Sequence, residues 1–326
     1  MRNMQFSRLS FRKIEIYLRM LKEIVITVII SFLIGIAGCN KYDEPKKINL
    51  DKRQSIQAEQ PDDNVKHLRA AVGGMITPKE GLAYYKDFLD YIGEKLGEKV
   101  DFVDRESYAE INTLLEKGDI ALAFVCSGPY VDGHNRFGLE LLVSPQAYGD
   151  TVYYSYLIVH KDSPIRSFEE LRNKKFAFTD PLSNTGKIVP TFMLAKMNET
   201  PETFFENYIF TKSHDRAIQS VGLKVVDGAA VDSLIWEYLN RTNPEFTAKT
   251  RIIKKSPPYG IPPVVVSPGL NPDLKKKLRQ VFLDAHNDER GSEILKKMMI
   301  DKFVVLDDHA YDSVREMKVW LEKHHK

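Results

Sequence analysis

Cysteine is scarce in this sequence, and the charges nearly cancel. Only 2 of the 326 residues are cysteines, Cys39 and Cys126, and the formal net charge is +2. No basic stripe interleaved with aromatic residues is present, so we expect no nucleic-acid partner. With too few cysteines for a disulfide framework, the fold has to be stabilised by a buried core. The length and the 43% hydrophobic content permit such a core.

Three catalytic or metal-binding signatures are also missing. The sequence has no Gly-x-Ser-x-Gly nucleophile elbow, no His-Glu-x-x-His pair and no Cys-x-x-Cys pair. His286, His324 and His325 have no partners at the spacing of metal ligands. These absences argue against a hydrolase and against a zinc site. We therefore expect a binding protein with no catalytic residues, no metal and no cofactor.

The apolar run at residues 24–36 is short for a membrane-spanning helix, which needs about 20 residues. Basic residues precede this run, and an Ala-Gly pair followed by Cys39 ends it. That order is typical of a secretory signal, and the cysteine resembles the lipidation site of a bacterial lipobox. We predict a signal peptide over 1–38 and a lipid on Cys39. An uncleaved signal anchor is the alternative.

Residues 39–65 are polar and contain few large apolar side chains, which predicts a flexible tether after the lipidated cysteine. The protein is then exported and faces the periplasm or the cell exterior. Asn40 leaves open whether the cell membrane or the outer membrane holds the anchor. Translation starts at Met1 or at Met20, since either start precedes a basic segment.

From about residue 68 onward, apolar segments of strand length alternate with segments of helical periodicity. This alternation predicts an α/β architecture. Residues 148–150 separate two such series, and the second series ends in a proline-rich segment. We predict two lobes joined by two crossings. The first comprises 66–150 and 260–326, and the second comprises 151–259.

Polar side chains gather where predicted strands end and helices begin. Four such corners contain Ser127, the run Ser183, Asn184 and Thr185, the pair Ser213 and His214, and the pair Asp232 and Ser233. In open α/β sheets, ligands bind beyond the carboxyl ends of the strands. Helix starts offer N–H groups to an anion, and a carboxylate accepts from a protonated ligand oxygen. Helix capping would explain the same residues. Anion binding and helix capping therefore both remain possible roles from the sequence.

The same segments resemble a known family, the phosphonate/phosphite-type substrate-binding proteins of ABC importers. The similarity runs from about residue 68 to residue 304, in the family's order. It is carried by the segments 123–131, 180–190, 213–221, 226–233 and 256–265.

The resemblance implies a two-lobed periplasmic-binding-protein fold of type II, in which each lobe is a mixed sheet flanked by helices. It also implies a small phosphorus oxyanion as the ligand: a phosphonate, phosphite or phosphate. The residues expected to bind it are Ser183, Asn184, Thr185, His214, Asp232 and Ser127, with Tyr130 or Tyr84 as a cap. Asp232 would accept from a protonated oxygen. The family often has threonine where Asn184 stands, so ligand preference is expected to differ there.

The resemblance further implies an ABC permease as the partner, and we expect a monomer. Two alternatives remain open from the sequence. One is a sensory module that binds the same ligand and signals to a receptor or kinase. The other is a binding protein for a different small ligand, such as a sulfonate or a pyrimidine precursor.

Overall fold

The computed structural model describes residues 67–73 and 78–324, with side-chain detail from residue 85 onward in the first helix. The chain divides into two units, Met1–Pro61 and Asp62–Lys326, and every described residue belongs to the second. The predicted signal peptide, the predicted lipidation site Cys39 and the predicted tether lie outside the described residues. Within the described ranges, no helix combines the length and the apolar character needed to cross a membrane.

Strands and helices alternate along the described chain, as the periodicity predicts. The strands are β1 (His67–Val72), β2 (Lys99–Val103), β3 (Leu122–Phe124), β4 (Glu140–Gln146), β5 (Val152–Tyr153), β6 (Ser155–His160), β7 (Lys175–Phe178), β8 (Asn207–Phe210), β9 (Gly228–Asp232), β10 (Thr250–Lys255), β11 (Tyr259–Gly260), β12 (Val264–Val266) and β13 (Lys302–Val304).

The helices pack around these strands. They are α1 (Pro78–Leu96), α2 (Tyr108–Lys117), α3 (Ser127–Phe137), α4 (Val189–Lys196), α5 (Pro201–Phe204), α6 (His214–Gly222), α7 (Ser233–Thr242), α8 (Pro272–Asp284), α9 (Glu289–Met298) and α10 (Asp312–His324). A π-helical turn, Asn184–Ile188, leads directly into α4. Shorter 3-10 turns lie at Glu169–Leu171, Thr247–Lys249, Ala285–Asn287 and Asp308–Tyr311.

Among the described residues, the strands form two mixed sheets and one short ribbon. The first sheet has the order β13-β4-β12-β3-β1-β2, and the second has the order β10-β6-β9-β7-β8. The ribbon pairs β5 with β11 in antiparallel fashion, with Tyr153 opposite Tyr259. β5 lies on the chain's passage from the first sheet to the second, and β11 lies on its return. The ribbon therefore joins the two crossings.

Aromatic packing stabilises the core beside each sheet. In the first, the ring of Phe282 lies 5.4 Å from that of Phe88 and 4.9 Å from that of Phe303, between centroids. In the second, the rings of Phe176 and Phe205 stack at 4.3 Å. These rings are buried, and burial of a large apolar side chain contributes about 1.5–3 kcal/mol. Cys126 is a free, buried cysteine.

Helix α3 and strand β4 are among the elements that were not predicted from the sequence. Helix α3 contains Gly128, Pro129 and Gly133, residues with low helical propensity, so its pattern resembles a loop. Its first turn is nevertheless buried, and packing decides its conformation. Strand β4 contains Pro145, which is unusual inside a sheet. Pro145 pairs with Phe303, the middle of the three pairs that join β4 to β13.

Candidate functional site

Three corners of the second sheet meet at one edge. Strands β7, β8 and β9 are parallel neighbours, so their carboxyl ends lie on the same side. The backbone N–H of Asp232 donates to Nδ1 of His214 at 2.9 Å, which joins two corners. Ser155 pairs with Asp232 in the sheet, and its hydroxyl donates to the Thr185 carbonyl at 2.7 Å. The sequence placed these corners at one edge, and the structure brings them into contact.

The corner around Ser183 has the geometry of a helix start. The Ser183 hydroxyl oxygen accepts from the Gly186 N–H at 3.0 Å, so the capping interpretation holds for this side chain. A Cβ at position 186 would lie 1.9 Å from Oγ1 of Thr179, so only glycine fits there. Thr185 Oγ1 is buried and has no hydrogen-bond partner among the described residues. The corner therefore keeps a free hydroxyl at the first turn of a helix.

His214 is fully buried and neutral. Burial lowers its pKa to about 3. Because Nδ1 accepts the Asp232 N–H, the ring proton is on Nε2. Nε2 has no partner among the residues that the structure describes, so it is a donor available to a ligand.

Asp232 is both a helix cap and an acceptor. One carboxylate oxygen, Oδ1, accepts from the Leu234 N–H at 2.7 Å at the start of α7. The other, Oδ2, is buried without a partner within the described ranges. Burial raises the pKa of Asp232 to about 7, although its backbone hydrogen bonds act in the opposite direction. Such a carboxylate accepts a hydrogen bond well when the ligand itself supplies the proton.

Ser127 and Asn184 are linked through a residue that the sequence did not indicate. The hydroxyl of Tyr153 lies 2.6 Å from the Ser127 hydroxyl and 3.2 Å from Sγ of Cys126. It also accepts from Nδ2 of Asn184 at 3.1 Å. Ser127 opens α3 after a strand of the first sheet, whereas Asn184 follows a strand of the second sheet. Tyr153 therefore connects the two sides of the site from the crossing strand β5.

Tyr108 is a second residue that the sequence reasoning missed. It is the first residue of α2, after the cap Ser107, so it occupies a further corner of the same type. Its ring is fully buried, and its hydroxyl has no partner among the described residues. Burial raises its pKa well above the usual range, and nearby Cys126, Asp180 and Asp232 add to the increase. The hydroxyl therefore remains protonated and able to donate.

The two lobes are in close contact beside these residues. A Cβ at Gly128 in α3 would lie 2.2 Å from the carbonyl oxygen of Leu182 and 3.0 Å from the backbone nitrogen of Asn184. The backbone N–H of Tyr108 also donates to Oδ2 of Asp180 across the lobes at 3.2 Å. The helix starts of both lobes therefore face one another at short range, which is the arrangement of a closed site.

Of the two tyrosines expected as a cap, Tyr130 does not join this cluster in the structure. The hydroxyl of Tyr130 donates to Oδ1 of Asp308 at 2.7 Å, and Arg315 donates to the same oxygen. These contacts hold the Tyr130 hydroxyl against Asp308, in the C-terminal part of the chain. The side chain of Tyr84 lies outside the described residues.

The chain matches the model of a known protein family. The family model for the periplasmic substrate-binding proteins of phosphonate ABC transporters matches residues 75–311. The chain belongs to this family. The Phosphonates-binding periplasmic protein of Escherichia coli is 25% identical over 240 residues, 72% of this chain and 71% of that protein. The resemblance identified from the sequence is thus confirmed.

Solved structures agree on the fold of this family member. A binding protein component of an ABC phosphonate transporter from Pseudomonas aeruginosa has a TM-score of 0.76 and 24% identity, over 80% of this chain and 88% of that one. PhnD1 from Prochlorococcus marinus was solved with methylphosphonate. It has a TM-score of 0.72 and 19% identity, and the match covers 79% of this chain and 99% of that one. The predicted fold class, a two-lobed periplasmic-binding-protein fold of type II, is confirmed.

Proposed function

We propose that this protein captures a small phosphorus oxyanion, a phosphonate, phosphite or phosphate, between its lobes and delivers it to an ABC permease. One observation carries the proposal. Buried polar groups at these corners lack a partner among the described residues, and four of them are the hydroxyls of Tyr108 and Thr185, Nε2 of His214 and Oδ2 of Asp232. An unsatisfied buried group costs about 1–3 kcal/mol. A ligand that bonds all four removes that cost.

The chemistry of the four groups selects the ligand class. Three of them donate hydrogen bonds, which suits an anion with several oxygens. The fourth, Asp232, accepts, which suits a ligand that keeps one oxygen protonated. A monoprotonated phosphonate or phosphate satisfies both requirements. A fully ionised sulfonate presents an oxygen without a proton to the carboxylate, and repulsion then opposes binding.

The starts of two helices supply positive electrostatic potential at the site. The first turn of α6 lies at His214 and that of α7 begins after Asp232. The positive ends of both helix dipoles therefore point toward the site. Together with neutral donors they hold an anion without an ion pair. No nucleophile is activated by this arrangement, so we infer reversible binding and no catalysis.

Ligand binding favours lobe closure in this proposal. We place the first lobe at 66–150 and 260–326 and the second at 151–259. Tyr108 belongs to the former, whereas His214 and Asp232 belong to the latter. A ligand that contacts both sides binds the closed state better and shifts the population toward it. The permease then recognises the closed form of a monomeric binding protein.

Export and anchoring complete the proposal. A lipid on Cys39 would hold the protein at the membrane, and the polar segment 39–65 would let the lobes reach a permease. The E. coli relative is named for phosphonates and the Prochlorococcus structure contains methylphosphonate, which supports the same ligand class here.

Calorimetry of the full chain, purified in a mild detergent, tests the proposal. Phosphate, phosphite and methylphosphonate are titrated separately, with methanesulfonate as the control that lacks a proton. We expect saturable binding of at least one phosphorus anion and much weaker binding of the sulfonate. If none of the three phosphorus anions binds, the proposed function is wrong.

A further inference from the structure

An apolar cavity lies next to the segment that follows Asp232. It has a volume of about 80 Å³. The first lobe contributes Tyr85 and Val125 to its wall, and the second contributes Leu234 and Ile235. The crossing residue Pro262 and Met299 at the end of α9 extend the wall outward.

Two residues of the cavity wall are close chain neighbours of residues at the proposed anion site. Val125 immediately precedes Cys126, and the Leu234 N–H is the donor that holds Asp232 Oδ1 at 2.7 Å. Tyr85 is nearly fully buried, and its pKa is raised by burial and then by the nearby Asp232. A substituent on an anion that contacts Asp232 would therefore extend between Tyr85 and Leu234.

The described wall contains no counter-ion for a charged substituent. None of the described residues that line the cavity is acidic or basic. An ammonium group placed there would lose its hydration without gaining a counter-ion, which is strongly unfavourable. An alkyl group would instead gain by leaving water.

We propose that this cavity binds an uncharged alkyl substituent of about two to four carbons, so that the preferred ligands are short alkylphosphonates. The inference rests on the proposed function, because it extends the same site. The size follows from the volume: a cavity of about 150 Å³ holds the six carbons of benzene, so about 80 Å³ holds roughly three.

Two ligands of almost equal shape test the proposal. Propylphosphonate and 2-aminoethylphosphonate have the same chain length and differ in a terminal methyl or ammonium group. By calorimetry of the full chain, we expect propylphosphonate to bind about fifteenfold more tightly than methylphosphonate, since each of its two additional methylenes is worth about fourfold when buried. We expect 2-aminoethylphosphonate to bind at least tenfold more weakly than propylphosphonate.

Two substitutions locate the effect. Ala147→Leu fills the cavity from its wall and should abolish the advantage of propylphosphonate while methylphosphonate still binds. Leu234→Glu supplies a carboxylate and should shift the affinity ratio toward 2-aminoethylphosphonate by tenfold or more. Leu223→Glu makes the same change at a side chain that is 54% exposed, and it should keep the wild-type ratio.

The outcomes separate this inference from the proposed function. If methylphosphonate binds but 2-aminoethylphosphonate matches or exceeds propylphosphonate in the wild-type protein, the alkyl cavity is rejected and the proposed function stands. An unchanged ratio in Leu234→Glu also rejects it, provided that this variant binds methylphosphonate. If no phosphorus anion binds, both proposals fail together.

Discussion

The backbone N–H of Asp232 donates to Nδ1 of His214 at 2.9 Å, and this bond determines the chemistry of both side chains. It fixes the tautomer of the imidazole, so that Nε2 is a donor. It also holds the imidazole of α6 against the residue whose carboxylate caps α7. A donor and an acceptor thereby become neighbours, and a ligand oxygen with a proton can use Asp232 while another oxygen uses His214.

The buried Asp232 carboxylate should destabilise the unliganded protein at high pH. Its pKa is about 7 in the folded protein and 3.8 without the protein environment. The folded state therefore holds a proton that the unfolded state has released, and stability falls as pH rises from about 3.8 to 7. Asp232→Asn removes this titration. In urea unfolding without ligand, we expect the variant to be more stable than wild type at pH 8, by up to about 4 kcal/mol.

At pH 4 the free energies of unfolding of the two proteins should differ by less than about 1 kcal/mol, because pH 4 lies at the start of this window, where the unfolded Asp232 has only begun to release its proton. His214 titrates in both proteins and cancels in the comparison. An equal stability difference at pH 4 and pH 8 would show that Asp232 does not titrate in this window.

The same substitution should discriminate between ligand classes. Asp232→Asn removes a charged acceptor for a protonated phosphonate oxygen, and such a hydrogen bond is worth about 1.5–3 kcal/mol. We expect affinity for methylphosphonate to fall about tenfold or more by calorimetry, while affinity for methanesulfonate is unchanged or rises. Asp227→Asn is the control, since its carboxylate accepts from the Lys175 N–H away from the site. Equal losses for both ligands would remove Asp232 from ligand recognition.

Tyr108→Phe should weaken ligand binding without a cost in stability. The hydroxyl is buried and has no partner among the described residues, so the folded protein loses no bond when it is removed. A ligand loses one donor, and we expect affinity for methylphosphonate to fall about tenfold.

Tyr311→Phe provides the matched comparison. The Tyr311 hydroxyl donates to the Ile261 carbonyl at 3.0 Å, and it lies 2.9 Å from that of Ser144. Its removal leaves those groups unsatisfied, so we expect a loss of about 1–3 kcal/mol in stability and no change in affinity. Thermal unfolding with calorimetry distinguishes the two patterns. If Tyr108→Phe destabilises and binds normally, its hydroxyl has a structural role.

Local patterns were sufficient to predict the corners of the second lobe. Ser183, His214 and Asp232 each follow an apolar strand and precede a helical pattern, so their position could be read from neighbours in the chain. Parallel pairing then brings the strand ends together, and this also follows from general rules of α/β sheets. The alternation likewise predicted most of the strands that position the site.

Long-range packing explains the rest. Tyr153 contacts residues of the site from a two-residue strand. Its local sequence does not distinguish it from the other tyrosines of the chain. In the sequence, Tyr108 looks like an ordinary core residue at a helix start. Its place in the site depends on contacts with the opposite lobe, which the sequence does not reveal. For Asn184, the sequence suggested a donor to the ligand, but its Nδ2 is engaged by the Tyr153 hydroxyl. Which donor a side chain keeps free depends on partners far away in the chain.

Gly128→Ala should oppose closure of the lobes. The added Cβ would lie 2.2 Å from the Leu182 carbonyl oxygen, a contact made across the lobes. The clash lies between elements of the two sheets, so we expect it to be relieved by separating the lobes rather than by unfolding. We expect a larger radius of gyration with saturating methylphosphonate by small-angle X-ray scattering, and at least a tenfold weaker affinity by calorimetry. Gly269→Ala is the control, because a Cβ there meets nothing within 4 Å and both measurements should match wild type. A Gly128→Ala protein as compact and as tight-binding as wild type would show that ligand capture does not require this approach of α3 to the corner at Leu182.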